Sequence, residues 1–282
     1  MEIKKLQPTF GAAISGLDLK ALTVMEWEEI HQAFLEYAVL VFPEQRLSKK
    51  QQEVFSLRFG EIENLMEGTN TIPITNKTPK GEFYAEDSER MKLLKGNEGW
   101  HTDSSYMALT AKASILSAHV IPEKGSETQW ADMRSAYDEL EAVTKGKIEE
   151  LNAFHSYFYS QAKIGHHVEI GANYGFFDGE TPLHPIVKIH PETGRRALFI
   201  GRHACNIPGL SEKESESLLD QLMNFSCQSP RILTHGWNEG DLVVWDNRCV
   251  LHRARPYETN QERLMLHTRI KGDRISESAL NA

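Results

Sequence analysis

The sequence predicts an α+β fold in which β-structure dominates. Short runs of β-branched and other apolar residues, bounded by Gly, Pro or Asn, recur along the chain, and amphipathic helical patterns stand between only some of them. Because strands and helices do not alternate regularly, the pattern favours an antiparallel, barrel-like sheet over a doubly wound parallel sheet. No shift in composition marks a boundary, so residues 1–282 are expected to form a single domain.

Three helices are predicted from their first residues. Each begins at a Ser or Thr that is followed three positions later by Glu or Gln, so the two side chains can satisfy backbone N–H groups reciprocally. The pairs are Thr23 with Glu26, Ser48 with Gln51, and Ser211 with Glu214. Apolar residues at helical spacing follow each pair.

Strands are predicted from five apolar runs, at residues 38–42, 113–121, 196–200, 241–245 and 263–270. In the last run, successive side chains would point to opposite faces, which places Arg263, His267 and Arg269 on one face. A cationic face inside a small barrel is costly unless anions occupy the lumen, whereas a cationic face in solvent carries no such cost. The pattern alone leaves both arrangements open.

The segment 61–97 is polar, punctuated by Gly and Pro, and weakly periodic. A loop of this length within a compact domain is usually functional or mobile. We therefore expect either a lid over a binding site or a variable surface excursion.

Charge and composition narrow the function classes. The net charge is -9, with 31 basic against 40 acidic residues, which disfavours a nucleic-acid binder. The N-terminal residues lack the apolar core of a signal peptide, and no apolar run is long enough to cross a membrane, so a cytoplasmic protein is expected. Three cysteines without a CxxC pair argue against both a disulfide framework and a structural zinc site.

A candidate metal site begins at His101-Thr102-Asp103. In an extended segment the side chains of residues i and i+2 share a face, so His101 and Asp103 can bind one ion. His252, at the end of the apolar run that follows Asp246-Asn247-Arg248, is the candidate third ligand. Two histidines and one carboxylate on one face of Fe(II) leave positions for a cosubstrate and dioxygen. The alternative is a chance H-x-D match and a core histidine with a backbone partner.

These residues occur in an order that resembles a known family. His101-x-Asp103, Thr128, "LFIGRHA", "WNEGDLVVWDNRCVLH" and Arg263 follow one another as in the Fe(II)/2-oxoglutarate-dependent dioxygenases of the taurine dioxygenase and 2,4-dichlorophenoxyacetate dioxygenase group. The resemblance extends from about residue 40 to residue 273. It is closer to the aryloxyalkanoate branch, through "DMRSAYD", "LFIGRHA" and "WDNRCVLHR".

The resemblance implies roles for individual residues. His101, Asp103 and His252 would ligate Fe(II), and Arg263 and Thr128 would bind the distal carboxylate of 2-oxoglutarate. A planar guanidinium suits that task because it meets a carboxylate bidentately, which Lys cannot do. For the substrate, the resemblance points to Asn97. The family often has an arginine where this chain has His267, and Arg269 is the candidate to compensate.

The implied fold is a distorted double-stranded β-helix, or jelly roll, with helices outside, and relatives commonly form dimers or tetramers. The implied reaction uses dioxygen to hydroxylate a small anionic substrate such as an aryloxyalkanoate, releases succinate and CO2, and cleaves an ether where the hydroxylated carbon carries an ether oxygen. Alternatives are the same chemistry on a sulfonate or an amino-acid derivative, a non-catalytic iron or 2-oxoglutarate sensor, a zinc hydrolase, and a structural jelly-roll module. The sequence contains no H-E-x-x-H motif, which argues against the zinc hydrolase.

Overall fold

The computed structural model describes residues 1–65, 68–171, 174–176 and 178–282. In these residues the helices are α1 (Val24–Tyr37), α2 (Lys49–Ser56), α3 (Glu89–Gly96), α4 (Met133–Glu139), α5 (Ala142–Ile148), α6 (Tyr157–Ala162) and α7 (Glu212–Ser226). The strands are β1 (Glu2–Lys5), β2 (Ala12–Ser15), β3 (Val39–Phe42), β4 (Thr71–Thr75), β5 (Ala111–Val120), β6 (Thr128–Asp132), β7 (Asn152–His155), β8 (Leu183–Pro185), β9 (Val187–Ile189), β10 (Arg196–Leu198), β11 (Ala204–Cys205), β12 (Ile232–His235), β13 (Leu242–Asp246), β14 (Val250–Ala254) and β15 (Leu264–Lys271).

The three predicted helix starts are confirmed. In α1, α2 and α7 the Ser or Thr side chain accepts a hydrogen bond from the backbone N–H three residues on, and the Glu or Gln there accepts one from the cap N–H. The five predicted strands are confirmed as β3, β5, β10, β13 and β15. Each of these elements therefore has a signal within its own few residues.

The sheets are mostly antiparallel, as expected for an α+β fold that is mainly β. A seven-stranded sheet has the order β1-β2-β3-β13-β5-β15-β4, in which only β2 and β3 pair in parallel. A three-stranded sheet has the order β12-β6-β14. Two smaller sheets, β11-β7-β8 and β10-β9, lie beside them.

The seven-stranded sheet buries both of its faces. Val244 and Ile115 belong to one apolar cluster, with residues of α1 and α2. Their chain neighbours Val243 and Leu116 belong to the other, with Trp130 of the three-stranded sheet. Since alternate residues of a strand point to opposite faces, the second cluster lies between the two sheets. Side chains on that inner face are shielded from water.

The cationic face of β15 lies inside the molecule. Met265 belongs to the inner cluster, and Arg263 and His267 are buried, whereas Ile270 packs on the helix side of the sheet. Of the two arrangements that the sequence left open, the costly one occurs. Burying these cationic groups costs free energy unless anions lie beside them.

The segment 61–97 is more ordered than predicted. It contains α3 and β4, and β4 pairs with β15 at the edge of the seven-stranded sheet. The expectation of an irregular loop was therefore wrong. The strand was not predicted because Pro73 interrupts its pattern. A proline lacks an N–H and is tolerated mainly in edge strands, and β4 is one. Residues 66 and 67 lie outside the described residues, and a lid role for the segment stays a prediction.

In the described part of the chain, no helix combines the length and the apolar character that crossing a membrane requires.

A buried charge network holds the turn that connects the two main sheets. Asp246 ends β13 and accepts hydrogen bonds from the Arg248 guanidinium at 2.8 and 2.7 Å and from His190 Nε2 at 3.0 Å. Burial alone would raise the pKa of Asp246, but Arg248 and His190 outweigh burial and hold it well below its usual range. The turn passes from one sheet to the other and leads into β14, which carries His252.

We expect Asp246→Asn to lower the free energy of unfolding by about 3 kcal/mol at pH 7, because it leaves a buried guanidinium without its main partner. A depressed carboxyl pKa stabilises the fold above the unfolded pKa and ceases to do so as the pH falls through the folded value. The difference between wild type and variant should therefore narrow in acid. Denaturant unfolding at pH 7 and at about pH 2.5, which lies below the ordinary carboxyl pKa, measures both effects. Asp220→Asn, on the exposed side of α7, is the control and should change neither; an equal loss there would contradict the assignment.

Candidate metal centre and cosubstrate site

The site is built on a pair of backbone hydrogen bonds between distant segments. His101 N–H donates to His252 C=O at 3.0 Å, and His252 N–H donates to His101 C=O at 2.8 Å. This antiparallel pairing sets the two imidazoles side by side, with ring centroids 4.1 Å apart. The segment around His101 is thus held against β14.

Asp103 completes the group. Its Oδ2 lies 3.7 Å from His252 Nε2, and His101, Asp103 and His252 each offer a ligand atom within 4.8 Å of the other two. All three side chains are buried. The period-two geometry of an extended segment, which predicted that His101 and Asp103 share a face, is consistent with this arrangement.

Local contacts set the protonation of these groups. His101 Nδ1 donates to Gly99 C=O at 2.8 Å, so its Nε2 lone pair is free for a ligand role. Burial lowers the pKa of His101 to about 4 and holds that of His252 well below its usual range. Burial would raise the pKa of Asp103, but Arg269 and His252 hold it well below the ordinary value. Two neutral imidazoles and one carboxylate form a donor set that suits a divalent transition metal.

A second group of similar composition differs in one respect. His190, Asp246 and Cys249 also lie within 4.8 Å of one another. However, His190 Nδ1 accepts from two backbone N–H groups at 3.2 Å, so Nε2 must donate to Asp246. Both oxygens of Asp246 are bound by Arg248. The ligand atoms of His190 and Asp246 are therefore already engaged within the protein, which indicates a structural role for this group.

Arg263 lines a cavity beside His101, Asp103 and His252, and it lacks a counter-charge in the described residues. The cavity encloses about 70 Å³, and Arg263 and Thr128 line it together with His101, Asp103 and His252. Arg263 is buried, its Nε has no hydrogen-bond partner, and it forms no ion pair with a carboxylate in the described part of the chain. Burial lowers its pKa to about 10, so it stays charged at neutral pH. A buried, unpaired guanidinium is suited to binding an anion.

Thr128 has a partner that the sequence analysis missed. Trp237 Nε1 donates to Thr128 Oγ1 at 3.0 Å, and both residues are buried. An indole N–H can only donate, so the hydroxyl proton of Thr128 is directed elsewhere. The signal in the sequence was a lone tryptophan, which is more often a core residue. Only the three-dimensional contact distinguishes it.

Asn97, His267 and Arg269 also line the cavity. Arg269 Nη2 lies 2.9 Å from Asp103 Oδ1, and His267 Nε2 lies 3.4 Å from Asp103 Oδ2. Two of the three predicted substrate residues therefore contact a candidate metal ligand. Asn97 is the C-terminal cap of α3, and its carbonyl accepts a hydrogen bond from Ala254 N–H at 2.8 Å.

Comparison with known proteins agrees with this geometry. Residues 2–269 match the profile of the Taurine catabolism dioxygenase TauD, TfdA family. The chain belongs to this family. Among its relatives, an (S)-phenoxypropionate/alpha-ketoglutarate-dioxygenase of Sphingobium herbicidovorans is 49% identical over 99% of this chain and 98% of its own length. A namesake from Delftia acidovorans is 43% identical over 99% of this chain and 98% of its own length.

A solved structure extends the comparison to the fold. AAD-2 in complex with Mn(II) and N-oxalylglycine has a TM-score of 0.92 and 36% sequence identity, and the match covers 100% of both chains. The family resemblance predicted from the sequence is confirmed, including the aryloxyalkanoate branch. Within the TauD/TfdA family, this protein is a 2-oxoglutarate-dependent dioxygenase with a metal-binding site.

We expect one Co(II) ion per chain in a spectroscopic titration. His252→Ala should abolish binding, because it removes one of three buried donors. His190→Ala is the matched control, since it removes a buried histidine from the other group, and it should leave the stoichiometry at one. If His190→Ala loses Co(II) binding and His252→Ala retains it, the metal binds at the His190 group and the assignment is contradicted.

Proposed function

We propose that this dioxygenase uses Fe(II), 2-oxoglutarate and dioxygen to hydroxylate a small anionic substrate of the aryloxyalkanoate class, with release of succinate and CO2. Where the hydroxylated carbon carries an ether oxygen, the hemiacetal collapses and the ether is cleaved. The names of the relatives support this substrate class. They include an alpha-ketoglutarate-dependent 2,4-dichlorophenoxyacetate dioxygenase of Cupriavidus pinatubonensis, 36% identical over 92% of this chain and 93% of its own length.

The observation that carries the proposal is the buried Arg263. A cation sealed in the protein without a carboxylate partner in the described residues costs free energy unless an anion joins it. Its planar guanidinium can hold the distal carboxylate of 2-oxoglutarate through two parallel hydrogen bonds. The Thr128 hydroxyl, whose oxygen already accepts from Trp237, would donate its proton to the same carboxylate.

The remaining site residues divide between metal and substrate. His101, Asp103 and His252 would hold Fe(II) on one face and leave its other positions open. When bound, Fe(II) and 2-oxoglutarate supply the oxidation of a substrate C–H bond by dioxygen. The protein's part is to fix both reactants in a cavity whose charged and polar lining is joined by Ile74, Leu116 and Trp245.

Asn97, His267 and Arg269 are the proposed substrate contacts. Arg269 Nε has no hydrogen-bond partner in the described residues, so one donor remains for a substrate anion after Nη2 has met Asp103. A larger cavity of about 310 Å³ shares Asn97 and Arg263 with the metal cavity, and Met91, Leu94 and Tyr257 contribute apolar surface to it. That surface suits the aryl part of such a substrate.

We also infer that the facing sheets form the distorted double-stranded β-helix that the family resemblance implies. Their shared inner cluster, which joins Leu116 and Val243 of one sheet to Trp130 of the other, supports this inference. By the same resemblance we propose a cytoplasmic enzyme that works as a dimer or tetramer.

Arg263→Gln should raise the KM for 2-oxoglutarate by about 10- to 100-fold, since a hydrogen bond to a charged group is worth about 1.5–3 kcal/mol. The KM of Arg263→Lys should lie between those of the wild type and Arg263→Gln, because an ammonium group keeps the charge but cannot bind bidentately. Succinate production from 2-oxoglutarate with a phenoxypropionate measures both. Arg253→Gln is the control, because Arg253 contacts Gln129 and Trp100 outside the cavity. A wild type that binds 2-oxoglutarate but forms no succinate with any of a panel of anionic substrates would favour a sensor.

Trp237→Phe should raise the KM for 2-oxoglutarate by about 3- to 10-fold, the value of one neutral hydrogen bond, and leave kcat at saturating 2-oxoglutarate unchanged. The ring is kept, and only the donor to Thr128 is lost. Trp130→Phe is the control, since Trp130 is also buried but its Nε1 donates to no acceptor in the described residues. An equal change in KM in both variants would assign the effect to packing and refute the role of the hydrogen bond.

A further inference from the structure

We propose that Asn247 and Ser114 form a hydrogen-bond relay that fixes the carboxylate of Asp103 and thereby sets the affinity of the metal site. Both are positioning residues, since they act through Asp103 rather than on the metal. The inference rests on the proposed function in one respect, namely that Asp103 is a metal ligand.

The relay begins at Trp245, which determines how the Asn247 amide is oriented. Trp245 Nε1 donates to Asn247 at 3.0 Å, and because an indole N–H can only donate, the atom it meets must be the amide oxygen. The backbone N–H of Asp103, which can also only donate, meets the same amide oxygen at 3.4 Å. These contacts lock the amide, which is 2% exposed, with its NH2 group facing the other way.

The Asn247 NH2 group meets Ser114, whose hydroxyl has a single proton. Asn247 Nδ2 donates to Ser114 Oγ at 2.8 Å, so the serine oxygen acts as acceptor in this contact. Its own proton must then be donated elsewhere, and Asp103 Oδ2 lies 2.6 Å away. An amide nitrogen can only donate, so the direction of the whole chain is determined, from Asn247 to Ser114 to Asp103.

The relay distinguishes the two oxygens of Asp103. Oδ1 is bound by Arg269 at 2.9 Å, whereas Oδ2 accepts from Ser114 and is the oxygen 3.7 Å from His252 Nε2. With a separate partner on each oxygen, the carboxylate cannot rotate about its own axis. A carboxylate oxygen has two lone pairs, so Oδ2 retains one after Ser114 has donated, since His267 Nε2, 3.4 Å away, forms no hydrogen bond in the described residues. Groups that orient a metal ligand in this way typically change metal affinity by about 10- to 100-fold when they are removed.

Strand pairing explains why these residues meet. Trp245 of β13 pairs with Ser114 of β5, and Asn247 follows two residues after Trp245. The register of the two central strands therefore places the Asn247 amide beside Ser114, and the inner face of β5 presents Ser114 to Asp103. Ser114 lies within a central strand and Asn247 directly follows one, so the sheet sets the position of the relay.

Ser117 supplies a matched control on the same strand. It is 2% exposed, against 0% for Ser114, and its hydroxyl also donates a buried hydrogen bond, to Gln52 of α2. Gln52 lies on the helix side of the sheet, where it also donates to Thr268. Ser117→Ala and Ser114→Ala thus each remove one buried hydroxyl, but only the second faces the metal site.

The test is Mn(II) binding to the purified chain without substrate, measured from the free Mn(II) signal in electron paramagnetic resonance. Ser114→Ala should raise the Kd about 10- to 100-fold, while Ser117→Ala should leave it within about 2-fold of wild type. Denaturant unfolding of the metal-free proteins should show similar stability for the two variants. A Kd for Ser114→Ala equal to that of Ser117→Ala would overturn the relay.

Asn247→Asp tests the first step of the relay, because the relay and simple charge attraction predict opposite changes in the affinity for Mn(II). A simple gain of negative charge near the metal would tighten Mn(II) binding, whereas loss of the donor to Ser114 should weaken it, because the serine proton can then turn to the introduced carboxylate. Unchanged or tighter binding would overturn the role of Asn247. If the wild type binds no Mn(II), or if Asp103→Ala leaves binding unchanged, the proposed function fails as well, which separates its failure from that of the relay alone.

Discussion

The site depends on the reciprocal backbone hydrogen bonds between His101 and His252. Neither residue lies near the other in the chain, and the pairing is an isolated bridge rather than part of a long ladder. It is held in place by its flanks, since Ala254 N–H donates to Asn97 C=O and Arg202 N–H donates to Trp100 C=O, each at 2.8 Å. With both sides fixed, the backbone that carries the two imidazoles is held at one spacing. The protein thus supplies preorganisation, which reduces the entropy lost on metal binding.

Arg263 and Arg269, near β15, face the same interior, but they differ in whether a counter-charge lies beside them. Arg269 is compensated inside the protein by Asp103, and Arg263 has no such partner in the described residues. Because an unpaired buried cation costs more than a paired one, the two positions differ in their need for an external anion. In the proposed function, this difference lets one cationic face hold the metal ligand Asp103 through Arg269 and leave Arg263 for a dissociable cosubstrate.

Local signals predicted the elements that carry them. The helix starts at Thr23, Ser48 and Ser211 needed only a four-residue pattern, and strands such as β13 needed only an uninterrupted apolar run. Strand β4 was missed because Pro73 interrupts its pattern and because its place at a sheet edge is a tertiary property. The His101–Asp103 pair followed from strand geometry, but Thr128 and Arg263 were assigned through the family resemblance. Trp237, Ser114 and Asn247 act only through contacts between distant residues, which no single segment reveals.

His267 illustrates how the interior constrains this family's chemistry. Its ring lies parallel to that of Trp245, with centroids 6.0 Å apart and planes at 9°, and its Nε2 lies 3.4 Å from Asp103 Oδ2. An arginine at this position would bring a third guanidinium between Arg263 and Arg269, with Asp103 already paired to Arg269. The shorter imidazole instead fills the space beside Trp245 and leaves room in the cavity above the metal ligands. If the proposed function holds, recognition of the substrate anion falls to donors that are not already engaged within the protein, such as Arg269 Nε.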